Sequence, residues 1–277
     1  MSQLSARWRK FRSHVRILRV DIMDWIQAFI LGIVQGLTEF LPVSSSGHLV
    51  LAQHLLGVNE AGVLLEVILH MGTLAAILFY FYNDLEQLVF DFFKGSKDAV
   101  NYVLFLVIAT VPAVCAGLLL QDNIESTFNL SIVKWMFLIT GIVVGSTYFS
   151  KNRPKREMVL MIALCIGIAQ SFALLPGISR SGITISLALI MGIQHKQAAK
   201  FAFFMAIPVL FGAGLLQVIT IEPQVNISAG PLFIGFISSA ITGYLVISWL
   251  LDVISRGRFY WFSLYCFAVS FLTFTLN

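Results

Sequence analysis

The chain has 277 residues, of which 58% are hydrophobic and only 12% charged, too little polar side chain to cover a soluble globule of that size. The formal net charge of +4 does not point to nucleic acid, because Lys and Arg cluster in short turns between apolar runs. Those runs lack the alternation over about ten residues that barrel strands show, so the expected class is an all-α polytopic membrane protein.

Residues 1–22 carry Arg7, Arg9, Lys10, Arg12, Arg16 and Arg19 without a long apolar region, so they are not a secretory signal peptide. Two readings stand: translation begins at Met23, or the segment is a basic arm lying on anionic lipid. Residues 23–277 are expected to form a single membrane domain. Its first apolar segment, 25–57, is interrupted by Pro42 and Gly47 and reads as two short helices around the polar loop QGLTEFLPVSSSGH at 35–48. Runs 62–83, 99–120 and 130–149 follow, each about the twenty residues that a bilayer crossing needs. A second broken segment, 161–193, is interrupted by Pro176, Gly177 and Gly182 around LLPGISRSGITIS at 174–186, and three more runs complete the chain at 198–220, 228–251 and 258–276.

The two broken segments resemble each other. Gly32, Ile33 and Gln35 recur 135 positions later as Gly167, Ile168 and Gln170, and Ser44, Ser46 and Gly47 match Ser179, Ser181 and Gly182 at the same offset. Each half, 23–150 and 158–277, then reads as one re-entrant hairpin followed by three spans, which makes six transmembrane helices plus two hairpins in all. Three crossings separate the hairpins, so they enter from opposite faces as an inverted repeat and meet near the midplane. Lys94, Lys97, Lys151, Arg153, Lys155, Arg156, Lys196, Lys200, Arg256 and Arg258 all fall in loops on one face, whereas loops 121–129 and 221–227 on the other hold no Lys or Arg. The positive-inside rule puts the first hairpin outside, and the basic 1–22 segment runs against that assignment.

Ionisable groups at membrane depth are costly, ~2.5–3.5 kcal/mol for an Arg at a helix centre on insertion scales, so Glu39, His48 and Arg180 call for a compensating role. Both Ser-rich loops run into helical patterns, whose free N–H groups favour an anion. Arg180 adds a planar fork of donors, with the hydroxyls of Ser179, Ser181 and Thr184 beside it. The first loop supplies Glu39, Ser44, Ser45, Ser46 and His48, enough for a nucleophile and a general base in phosphoryl transfer. The expected ligand is an oxyanion, with phosphate the best fit. Glu66 and His70 are four apart and permit a polar stripe facing this site. Lys134 sits near a span end, where it can snorkel to the interface. Cys115, Cys165 and Cys266 lie in apolar runs and give no disulfide framework.

At these residues the sequence resembles the BacA family of undecaprenyl pyrophosphate phosphatases over about residues 23–277. Gln35 and Glu39 match a Glu-or-Gln, three residues, then Glu signature, and residues Pro176 to Thr184 match Pro-Gly-x-Ser-Arg-Ser-x-x-Thr, beside SSSGH. The resemblance implies hydrolysis of undecaprenyl pyrophosphate to the monophosphate carrier lipid of peptidoglycan assembly. It also implies a plasma-membrane site open to the outer face, a divalent cation (Mg or Ca), and resistance to bacitracin, which sequesters the same lipid. Glu39, Ser45, His48, Ser179, Arg180 and Thr184 match positions assigned there to catalysis or phosphate binding. Gln35 stands where some members have a second Glu, so Glu39 is left as the single carboxylate for the cation, bridging to the diphosphate oxygens. The expected scheme has Ser45 as nucleophile, activated by Glu39, with His48 as proton donor or base; His48 as nucleophile is the opposite assignment. Arg180, Ser179 and Thr184 hold the diphosphate, assisted by Gln35, Ser44, Ser46 and Ser181. The rival reading is a polyprenyl-phosphate transporter using the same anion site.

Overall fold

A computed structural model of the chain describes residues 25–57, 63–120, 127, 129–150, 153–220 and 229–275. The basic segment 1–22 and the start at Met23 lie outside the described residues. No strand occurs among those described, and a single isolated bridge joins Arg156 to Ile193.

Each broken segment is two helices around a loop. The first pairs α1 (Trp25–Thr38) with α2 (Ser45–Leu56). Pro42 brings no N–H to the intervening turn, and Ser44 caps α2 by accepting from Gly47 N at 3.3 Å. The second pairs α7 (Leu160–Ser171), extended by a short 3-10 turn over Phe172–Leu174, with α8 (Arg180–Ile190). Ser179 caps α8, accepting from Gly182 N at 3.0 Å. Ser44 and Ser179 occupy matching positions in the two broken segments, and the same kind of cap opens both second helices.

Between them run α3 (Val63–Tyr80), α4 (Tyr82–Phe93), α5 (Lys97–Leu119) and α6 (Leu130–Ser146). After them come α9 (His195–Thr220), α10 (Ala229–Ser255) and α11 (Phe262–Thr275). Among the described residues four helices are long and apolar enough to cross a membrane: Lys97–Leu119, Leu130–Ser150, His195–Leu216 and Ala229–Ser255. The expected runs at 62–83 and 258–276 are not among these four. The first stops at Tyr80, and the chain turns by 73° into α4, because the apolar sequence gives way to YNDLEQLVFDFF with Asp84 and Glu86. What read as a basic loop from 84 is therefore largely helix. The last run matches its expected bounds closely, as the apolar helix Phe259–Thr275, which among the described residues is shorter than those four.

Side chains such as Phe79, Leu119, Phe149, Ile219 and Phe271 face outward all round the bundle. A soluble monomer does not carry so large an apolar surface, and the chain is a multi-pass membrane protein. The core gathers around α9, with Phe201, Phe203 and Met205 buried against Ile185 of α8 and Leu250 of α10. Four basic segments share one end of the bundle: Arg156 N donates to Gly192 O at 2.9 Å, Lys200 pairs with Asp84, and Gly257 lies beside His195.

The first helix of each broken segment seats on a long helix from the other half of the chain. On α1, a Cβ at Gly32 would lie 2.6 Å from the carbonyl oxygen of Gly235 in α10; on α7, a Cβ at Gly167 would lie 2.6 Å from that of Ala109 in α5. Only a residue without Cβ admits such backbone contact, so the two repeated glycines serve the same packing.

Candidate active site

Glu39 follows the last turn of α1, with its N–H still bonded to Gln35 O at 2.9 Å. This helical spacing turns the Gln35 side chain to the carboxylate, and Nε2 donates to Glu39 Oε2 at 2.9 Å. Ser45, in the first turn of α2, donates its hydroxyl to the same oxygen at 2.6 Å. Arg180, in the first turn of α8, pairs through Nη2 with Glu39 Oε1. From α3, His70 Nε2 comes within 3.7 Å of Oε2. Residues far apart in the sequence thus converge on one buried carboxylate, and breaking such a pair from one side costs about 3–5 kcal/mol because the other charge stays buried.

The loops are laced together by their serines. Ser44 Oγ accepts from Gly177 N at 3.1 Å as well as from its own cap, and it contacts Ser46 Oγ at 3.3 Å. Ser181 Oγ donates to Leu41 O at 2.9 Å, and Ser179 Oγ reaches the same carbonyl at 3.4 Å. Thr184 donates back to the Arg180 carbonyl at 2.7 Å. Ser44, Ser179, Ser181 and Thr184 therefore spend their hydroxyls on backbone, and Ser45 is the serine that meets the carboxylate. Ser44 adopts φ of 68°, the sole positive value at a non-glycine among the described residues. Such strain persists only where surrounding contacts fix it. Ser44→Ala should lower stability by about 1–3 kcal/mol, the range for a buried donor left unsatisfied, since Gly177 N–H loses its acceptor; thermal unfolding of the purified protein measures it.

The ring of His48 turns to α11 instead of Glu39. Its Nδ1 lies 2.8 Å from Ser44 O and its Nε2 2.8 Å from Tyr265 OH, while Phe137 packs edge-on against it. A carbonyl only accepts, so Nδ1 carries the proton and Nε2 accepts from the tyrosine. Two further supports lie outside both loops. Tyr265 sits in an ordinary apolar run, which carries no sequence signal. Thr140, a lone hydroxyl inside LITGIVV, donates to Gly177 O at 2.8 Å and accepts from Ser179 N at 3.1 Å; its polarity at mid-span was the available clue. The polar stripe on α3 divides: His70 faces Glu39, and Glu66 accepts from Gln53 at 2.7 Å. Lys134 lies over the Phe274 ring at 4.9 Å. All three cysteines are free, Cys266 buried and Cys115 exposed.

Arg180 Nη1 and Gln35 Oε1 are buried without hydrogen-bond partners among the described residues. An unpaired guanidinium nitrogen beside a serine already bonded to a carboxylate is suited to an oxyanion. Fold and site together define a helical multi-pass membrane protein with a buried carboxylate–guanidinium centre. Residues 28–272 match the family described as "Bacitracin resistance protein BacA", and the chain belongs to that family.

Its relatives carry concordant names. The undecaprenyl-diphosphatase of Syntrophotalea carbinolica is 39% identical over 265 residues, covering 92% of this chain and 100% of that protein. That of Methanobrevibacter smithii is 36% identical over 273 residues, covering 91% and 97%. Undecaprenyl-diphosphatase 4 of Bacillus cereus is 38% identical over 260 residues, covering 92% and 98%.

Proposed function

We propose that the chain hydrolyses undecaprenyl diphosphate to undecaprenyl phosphate and inorganic phosphate. The observation that carries this is the Ser45–Glu39–Arg180 cluster, with a guanidinium nitrogen left over for the ligand. Ser45 Oγ attacks the terminal phosphorus and gives its proton to Glu39 Oε2, which it already touches. The bond from phosphorus to the bridging oxygen breaks, and undecaprenyl phosphate leaves. Water then attacks the phosphoserine: its oxygen bonds to phosphorus as the Oγ–phosphorus bond breaks, Ser45 Oγ takes back the proton held by Glu39, and the water proton leaves with phosphate. Arg180 steadies the charge on the transferring group. His48, with both nitrogens engaged, orients the first loop; this favours Ser45 over His48 as nucleophile.

A hard divalent cation, magnesium or calcium, would draw most of its ligands from the diphosphate and water. Glu39 would be its one protein carboxylate, Gln35 adds no charge, and no cluster of three His, Cys, Asp or Glu occurs among the described residues. When bound, it would neutralise diphosphate oxygens.

The same reading places the site in the plasma membrane, open to the outer face, with six crossings and two re-entrant hairpins in an inverted repeat, 23–150 and 158–277. The basic segments gathered at one end support that orientation, and the matched seats of Gly32 and Gly167 support the repeat. Bacitracin would then compete by sequestering the substrate. Phosphate release from undecaprenyl diphosphate by purified protein in detergent is the expected result, with phosphoserine at Ser45 in trapped enzyme. Binding without release would support transport instead, and phosphate on His48 would end the serine scheme.

A further inference from the structure

His70 belongs to neither loop, yet it stands on the open side of the carboxylate. Its side chain is 28% exposed, against 15% for Arg180 and 4% for Glu39. The ring is held in one orientation. Nδ1 lies 2.7 Å from the backbone oxygen of Glu66, one turn earlier on α3; a carbonyl only accepts, so Nδ1 donates there and Nε2 is the ring nitrogen turned toward Glu39. Thr73 Oγ1 donates to the carbonyl of His70 at 2.9 Å, and Gln53 from α2 ties Glu66 in place at 2.7 Å.

Resting on the diphosphatase reading, we propose that His70 is a further catalytic residue, whose Nε2 contacts a non-bridging oxygen of the terminal phosphoryl group. Ser45 Oγ and His70 Nε2 both approach Glu39 Oε2, at 2.6 and 3.7 Å, so a phosphoryl group attacked by Ser45 has His70 on its flank. Arg180 reaches Glu39 through the other oxygen, Oε1. The transferring group is thus held by donors from two sides, one on α8 and one on α3. An N–H at Nε2 makes the ring a cation, and its bond to the phosphoryl oxygen is charge-assisted. No bond to His70 forms or breaks; it stabilises charge that develops during transfer.

The test compares wild type with His70→Leu, His70→Asn and His70→Gln, reading melting temperature and phosphate release from undecaprenyl diphosphate in detergent. Leu offers no donor, Asn is too short to reach, and Gln reaches with an N–H. Leu and Asn are expected to melt with the wild type and to lose ~10²-fold in kcat with KM little changed, as when one donor to a transition state is removed; Gln should recover most of that loss. If Leu does not fold, Asn carries the comparison. Wild-type kcat in Leu or Asn, or a Gln variant as slow as either, overturns the assignment. So does a loss that follows a lowered melting temperature in all three. An inactive wild type instead overturns the diphosphatase reading, and His70 with it.

Discussion

Arg180→Ala is expected to lower turnover of undecaprenyl diphosphate by ~10³-fold or more, the range seen when an arginine that stabilises a transferring phosphoryl group is removed. The guanidinium has two duties, pairing Glu39 through Nη2 and leaving Nη1 for the ligand. The substitution therefore also destabilises, by about 3–5 kcal/mol, because Glu39 stays buried and charged. These effects separate in a double variant. Glu39→Gln/Arg180→Gln removes both charges, so it should melt nearer the wild type while remaining inactive. Arg180→Lys keeps the charge but replaces a planar fork with a point donor that cannot serve two oxygens, and it too should be slow. Phosphate release and thermal unfolding on the same preparations decide the matter; Arg180→Ala turning over near the wild-type rate would remove Arg180 from the chemistry.

Gly177→Ala should be the most damaging methyl-sized change in the second loop. The residue has φ of 97°, a conformation that side chains resist, and an added Cβ would lie 2.6 Å from Met136 Cβ and 2.8 Å from Val133 O on α6. Strain and overpacking together should cost about 2–5 kcal/mol. Because Gly177 N also donates to Ser44, displacing it shifts the first loop, and activity should fall with stability. Gly212→Ala is the matched control: its Cβ meets nothing within 4 Å, and in a helix Ala is preferred to Gly. A Gly177→Ala protein that melts with the Gly212→Ala protein would show that the loops do not depend on this crossing.

Much of this architecture is legible from residue type alone. Pro42 and the Pro176-Gly177 pair mark where the short helices break, and the cost of burying Glu39 and Arg180 predicts that they meet, since neither is tolerable alone at that depth. The direction of individual side chains is less legible. Ser44 and Ser45 are neighbours of the same type, yet a backbone twist at Ser44 sends one hydroxyl to the second loop and the other to the carboxylate. His48 reads as a candidate acid or base because spacing along α2 allows it. The deciding contact is with Tyr265 on α11, 217 positions away, which no local pattern encodes. The bend after Tyr80 shows the opposite limit: hydropathy finds the run but carries it to 83, past the end of the helix at Tyr80.

The seating of each short hairpin on the opposite half bears on how the chain matures. Glu39 emerges from the ribosome 141 residues before its cationic partner, an interval on the order of ten seconds at ordinary elongation rates. Throughout that delay the first hairpin lacks both α10 to rest against and a guanidinium to neutralise it. Only when the second loop and α10 have been made can the acid meet its cation and the first helix its seat.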